Sequence, residues 1–292
     1  LAESTLFVTS SGVQRPPVVN VVDAEALEAS RLERAVPGRL SRKLVACGQP
    51  WSTTDLAIAT PGLPRRAPPH HVGEIAVRGP SVAKGYWGAR ELSAATCDTE
   101  IDGESGWLRT GDLGCVVDGE LYVTGRMKDL LIVRGCNHYP QDLERAVEGA
   151  VRAVRPGCVA AFSVDLDGEE RAVVVAEFDP RRAPMETGEA ARRIRGAVAA
   201  EHGLLLDRVV LVAPRSVPKT SSGKIQRGAC RTALLDGNLD LLPDGDSWKR
   251  VPRAPVAALR PDDWLRALIA TRAGVPPHDI GTDQPLAELG LD

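Results

Sequence analysis

A chain of 292 residues, 43% hydrophobic and 26% charged, suits an ordinary folded globular protein with one large domain or roughly two to three small ones. A net charge of −3 without blocks of like charge excludes the signatures of nucleic-acid and membrane-surface binding, and no apolar run reaches the ~18 residues of a membrane span. Six cysteines without a Cys-x-x-Cys pair argue against a zinc site or a disulfide framework and fit a reduced, cytoplasmic setting.

The opening Leu1-Ala2-Glu3-Ser4 has no initiator methionine, basic leader or cleavage pattern, which reads as a chain cut from a longer polypeptide. Residues 5–9 predict a short strand. From about 12 to 46 the text is irregular, with Pro16-Pro17, an apolar run at 18–22 and a possible helix at 24–29. That stretch reads as an insertion and not as a core element. Residues 47–125 are β-rich, with short runs at 55–59, 73–79 and 114–117 bounded by Gly, Pro or Asp.

Strands at 121–124 and 129–133 flank Gly125-Arg126, which predicts a hinge-like turn between them. Pro140-Gln141-Asp142 opens a helix whose apolar face is Leu143, Ala146, Val147 and Ala150. Buried strands at 159–164 and 172–178, a helix at 189–202 and a strand at 209–212 complete a compact α+β unit ending near 238. Spaced prolines make 239–258 a linker, and Pro261 to Ile269 predicts an N-capped amphipathic helix.

Three stretches carry chemistry. Val217-Pro218-Lys219-Thr220-Ser221-Ser222-Gly223-Lys224-Ile225 hangs Lys224 on a polar loop expected to be mobile, with Lys219 as an accessory charge. A phosphate-loop reading needs a glycine five residues before Gly223, where Pro218 stands. Leu108-Arg109-Thr110-Gly111-Asp112-Leu113-Gly114 places a carboxylate after a turn, able to accept from vicinal hydroxyls. Gly125-Arg126-Met127-Lys128-Asp129 adds two cations. Taken singly, each of these residues also fits a solvated loop lysine, a turn-capping aspartate or a surface ion pair.

In residues and in order, these stretches resemble the late motifs of the adenylate-forming superfamily, enzymes that activate a carboxylate with ATP. The resemblance implies that Lys224 is the catalytic cation and that Asp112 and Arg126 hold the nucleotide. It implies that Lys128 is the hinge of a swivelling lid. Leu1-Ala2-Glu3-Ser4-Thr5-Leu6 resembles the motif whose glutamate holds Mg²⁺ against the triphosphate, which assigns the metal to Glu3; one carboxylate suffices for that ion.

Val133 to Glu144, containing Gly135-Cys136-Asn137-His138-Tyr139-Pro140, resembles the fatty acyl-AMP ligases in particular. Gly135 and His138 then lie on the acceptor side, His138 packed or orienting and Gly135 allowing close backbone approach. The family commonly has arginine where Cys136 stands. Its insertion, matching 12–46, packs on the swivelling domain and is associated with loss of coenzyme A use. The tail from Gln284 to Asp292 resembles the lead-in to the modified serine of an acyl carrier domain.

The expected fold class is therefore α/β plus α+β. Residues 1–125 form the end of a large adenylation domain with a β-barrel-like lobe, 126–238 a small α+β lid, 239–258 a linker and 259–292 a truncated helical carrier domain. Expected partners are ATP, Mg²⁺, a fatty acid and an acyl carrier domain in cis or in trans, with its phosphopantetheine attached outside this chain. The glycine-rich phosphate loop and acyl pocket are absent from the sequence, so the chain alone is expected not to adenylate. Alternatives are an acyl-CoA ligase, an amino-acid adenylation domain, or a non-enzymatic carrier-docking module.

Overall fold

The computed structural model describes residues 2–4, 7–12, 16–51, 53–166 and 168–242, all within one compact unit, Leu1–Trp248. The predicted carrier segment 259–292 and most of the predicted linker lie outside the described residues. Among the described residues no helix is long and apolar enough to cross a membrane.

A 3₁₀ turn at Ala2–Ser4 leads to β1 (Thr9–Ser10). Next come β2 (Val19–Asp23), α1 (Ala24–Glu28) and β3 (Ser41–Val45), with β2 and β3 paired antiparallel. This is the segment the sequence reads as a non-core insertion, and the structure corrects that. Val22, Leu27 and Leu32 are buried in one cluster with Val72, Leu113, Cys115 and Tyr139. Asp23 starts the helix by accepting from the Ala26 N–H at 2.9 Å, satisfying one orphan donor of its first turn.

After β4 (Gln49–Pro50), which pairs with β1, comes a five-stranded antiparallel sheet built from β5 (Asp55–Ala59), β6 (Gly73–Arg78), β7 (Thr99–Ile101), β8 (Glu104–Val117) and β9 (Glu120–Arg126). The helix α2 (Arg90–Thr96) precedes β7. Long β8 is the spine: it pairs with β6, β7 and β9. Opposite β6 it carries a bulge. Ala76 faces Arg109 and Glu74 faces Leu113, so Thr110-Gly111-Asp112 stands against the single residue Ile75.

Gly125 and Arg126 end β9 in register with Leu113 and Asp112, so they are not the turn expected there; the turn falls at 127–129. β10 (Leu131–Val133) and β11 (Cys136–His138) form a hairpin closed by Arg134 and Gly135, at φ 52° and 78°. Two positive φ values in a two-residue loop match the twist of the strands. Gly135 is thus required by its backbone angle, and not by close approach: a Cβ there would meet nothing within 4 Å.

The remaining chain builds a three-stranded sheet, β12 (Val154–Leu166), β13 (Glu169–Phe178) and β14 (Arg208–Val212), with α3 (Pro140–Ala150), α4 (Thr187–His202) and α5 (Arg227–Leu235). β12 and β13 are antiparallel, whereas β14 joins β13 in parallel after the α4 crossover. The apolar run 172–176, taken up again by Phe178 after the buried Glu177, follows from burial of both faces. Ala172, Val174, Ala176 and Phe178 pack with Leu143, Val147, Ile194 and Val198 on one side, while Val173 and Val175 meet Cys230 and Leu234 on the other. Residues 240–242 hydrogen-bond along β14, so the folded body continues past 239, where the prolines suggest a linker.

Candidate active site

The β8 bulge presents Asp112. Glu74, buried on β6, accepts from the Gly111 N–H at 3.0 Å and pairs with Arg109 at 2.8 Å. Thr110 Oγ1 donates to the Ile75 carbonyl at 2.8 Å and accepts from the Asp112 N–H at 3.0 Å. The Gly111 carbonyl accepts from the Met127 N–H at 2.9 Å, which ties the bulge to the turn after β9. Asp112 and Arg126, facing each other in register, join at 2.8 Å. That bond is the main reason the Arg126 guanidinium holds its proton more tightly than usual.

A cavity of about 610 Å³ opens beside this pair. Glu3, Glu74, Tyr86, Arg109, Gly111, Arg126, Lys128 and Asp129 line it. Tyr86 donates to Glu3 Oε1 at 3.1 Å, and that bond raises the phenol pKa. The structure therefore gathers Glu3, Arg126 and Lys128 around one cavity, with Asp112 adjoining through Gly111. Lys128 is exposed in the 127–129 turn.

Lys224 stands apart and does not line this cavity. Its loop is not the loose segment expected. The Thr220 N–H donates to the Lys224 carbonyl at 2.8 Å, the Lys224 N–H to Thr220 Oγ1 at 3.0 Å, and Lys219 bridges Ile225. The result is a closed hairpin with an exposed lysine at its end. Buried Glu177 fixes the entry by accepting from the Val217 N–H at 3.1 Å. Lys219 reaches Cys158 Sγ at 3.1 Å.

His138 lies elsewhere, in a cavity of about 730 Å³ with Glu28, Arg134, Cys136 and His202. It is buried, with Nδ1 3.6 Å from Glu28 Oε1, and burial followed by the nearby Arg42 charge lowers its pKa. Arg42 of β3 also contacts His202 Nδ1, the Glu201 carbonyl at 3.0 Å and Asp142 at 3.8 Å. Asn137 donates to Ser30 at 2.8 Å. Segment 12–46 is thus bolted to β11, α3 and α4. The sequence reading overlooked Glu74, Tyr86 and Arg42. Glu74 had a signal, a carboxylate directly before the apolar run Ile75-Ala76-Val77.

A Mg²⁺ site built on Glu3 has a consistent donor set. Tyr86 engages Oε1, and no cluster of three potential ligands exists among the described residues. One carboxylate plus phosphate oxygens is the habit of that ion, and no all-protein cage is needed.

The Disco-interacting protein 2-like AMP-domain family matches residues 128–243. The medium-chain-fatty-acid–[acyl-carrier-protein] ligase JamA of Moorena producens is 43% identical over 246 residues, spanning 82% of this chain and 42% of JamA. The long-chain-fatty-acid–AMP ligase FadD32 of Mycolicibacterium smegmatis is 37% identical over 274 residues, spanning 82% of this chain and 43% of FadD32. A solved structure from studies of fatty acyl-adenylate ligases of E. coli and L. pneumophila superposes with a TM-score of 0.68 at 31% identity, covering 81% of this chain and 41% of that one. The chain spans about two fifths of the length of the curated relatives it matches.

Proposed function

We propose that this chain, which belongs to the adenylate-forming superfamily alongside the fatty acyl-AMP ligases, carries the ribose clamp and the lysine of an enzyme that activates a fatty acid with ATP. The observation that carries this reading is the Asp112–Arg126 pair, whose arginine lines one cavity together with Glu3 and Lys128. In the reaction a carboxylate oxygen attacks the α-phosphorus, the bond to pyrophosphate breaks, and acyl-adenylate forms. Two anions must meet, so a positioned cation lowers the barrier by neutralising charge that develops in the transition state. Lys224 is that cation: a compact ammonium on a long stem.

Asp112 accepts from the ribose hydroxyls and Arg126 steadies the nucleotide from the opposite strand. Mg²⁺ held with Glu3 would draw charge off the triphosphate. Since Lys224 stands away from the cavity, its entry requires a swivel, and Lys128 in the 127–129 turn is the hinge. In this reading residues 1–125 end the large domain, 126–242 form the lid, 243–258 link onward, and 259–292 begin a carrier domain. The enzyme works in the cytoplasm, in keeping with its free thiols.

The second half-reaction passes the acyl group to a phosphopantetheine thiol of a carrier, releasing AMP. JamA, by its name, acts on a carrier protein. The seating of segment 12–46 on α3 and α4, through Arg42, favours a carrier thiol over free coenzyme A. The decisive assay is fatty-acid-dependent ATP–pyrophosphate exchange by the whole polypeptide, followed by acyl transfer to a holo-carrier or to coenzyme A. Lys224→Ala should slow the exchange by on the order of 10²-fold or more. Undiminished exchange in that variant, or free acyl-CoA as the main product of the unmodified enzyme, refutes the reading.

A further inference from the structure

Arg227 opens α5, three residues beyond Lys224, and its guanidinium is four-fifths covered. Nε and Nη2 donate to the two carboxylate oxygens of Glu144 at 2.7 and 2.8 Å, while Nη1 donates to Asp129 Oδ2 at 2.7 Å. Glu144 belongs to α3, is nearly buried, and accepts also from the Ala161 N–H of β12 at 3.1 Å. Asp129 lies one residue past Lys128 and lines the cavity of Glu3 and Arg126. One planar fork therefore spans three elements: the exit of the Lys224 hairpin, the helix beneath it, and the turn beside the cavity.

We propose that Arg227 is a positioning residue that makes the Lys224 hairpin travel as one body with α3 and with Asp129, the residue that follows the Lys128 hinge. The proposal rests on the roles given above to Lys224 and Lys128. With Glu177 anchoring the entry at Val217 and Arg227 anchoring the exit, the hairpin has no free end on which to swing. Reorientation at Lys128 then delivers Lys224 to a fixed place, instead of releasing a side chain that must find it. Lysine at 227 provides a single point charge and cannot grip Glu144 in two places while also holding Asp129.

The test measures pyrophosphate exchange by the whole polypeptide carrying Arg227→Lys or Asp129→Asn, each alone and combined with Lys224→Ala. Each single change should lower kcat by on the order of 10- to 100-fold, because small misplacements of a catalytic group carry such losses. In Arg227→Lys, KM for ATP should stay within about two-fold, since the ribose clamp is untouched. In the Lys224→Ala background neither change should slow the residual rate further. Wild-type exchange in both variants, with Lys224→Ala impaired, overturns the coupling and leaves the reading of Lys224 standing. An equal loss in the Lys224→Ala background also overturns it, because Arg227 would then act through stability alone. Wild-type exchange by Lys224→Ala sinks the reading beneath it. Asp129→Asn keeps the test open should Arg227→Lys fold poorly.

Discussion

Asp112 and Arg126 hold paired positions on β8 and β9, and Arg126 Nε donates to Asp112 Oδ1 at 2.8 Å. A nucleotide that uses Asp112 must share its carboxylate with the arginine, so the two act as a unit.

Asp112→Asn removes the charge but keeps the shape. It should raise KM for ATP about 10- to 100-fold, the loss expected when a hydrogen bond to a charged acceptor is weakened by ~1.5–3 kcal/mol. The specific measurement compares ATP with its 2′,3′-dideoxy analogue. The unmodified enzyme should discriminate strongly between them and the variant hardly at all. Retained discrimination means that Asp112 merely braces Arg126.

His202 makes the fold sensitive to acid. Burial, then the charges of Arg42, His138 and Arg145, brings its pKa down to about 4. Its neutral Nδ1 accepts from Arg42, which assigns the ring proton to Nε2. The folded value lies below the unfolded 6.5, so the unfolded chain binds the extra proton first. Stability is complete above about pH 6.5 and falls as the pH drops toward 4, by up to ~3 kcal/mol. Glu28, raised by burial, acts in the opposite sense nearby. His202→Asn keeps an acceptor for Arg42 without titrating. Urea denaturation from pH 4 to 7.5 should be distinctly flatter for the variant. Equal slopes would rule out His202 as the source.

Asp23 tests whether segment 12–46 belongs to the core. Asp23→Ala removes the acceptor for the Ala26 N–H and should cost about 1 kcal/mol. In a body of this size that is roughly 2–4 °C in Tm. Asp23→Asn, an equally good cap, should lose far less. A melt unchanged by Asp23→Ala would mean that α1 adds nothing to the cooperative unit.

Much of this was legible in the chain. The run 55–59 became β5 unshifted, and 172–178 and 209–212 sit inside β13 and β14, whose buried stretches have mostly apolar text. Segment 12–46 misled because its buried residues, Val22, Leu27 and Leu32, are sparse and divided among three short pieces with no sustained period. The Asp23 cap was the missed cue. Likewise, motif residues could be named from sequence, but their grouping could not. Register across β8 and β9 joins Asp112 to Arg126, and only the fold sets Lys224 apart. Arg227 and Glu74 act through partners 83 and 37 residues distant, a relation no local spacing encodes.

Gly111 gives the most local test of the bulge. It has φ 71°, and a Cβ there would meet nothing within 4 Å, so a side chain fits in space but not in backbone angle. Alanine should cost about 1–2 kcal/mol from that angle alone. Both its peptide groups are committed, the N–H to Glu74 and the carbonyl to Met127, so relaxation of the strain must move Asp112. Gly111→Ala should therefore raise KM for ATP as well as lower Tm, whereas Gly111→Asn, which tolerates the left-handed region, should keep most of both. If Gly111→Ala lowered Tm while nucleotide affinity stayed intact, the position of Asp112 would not depend on the bulge.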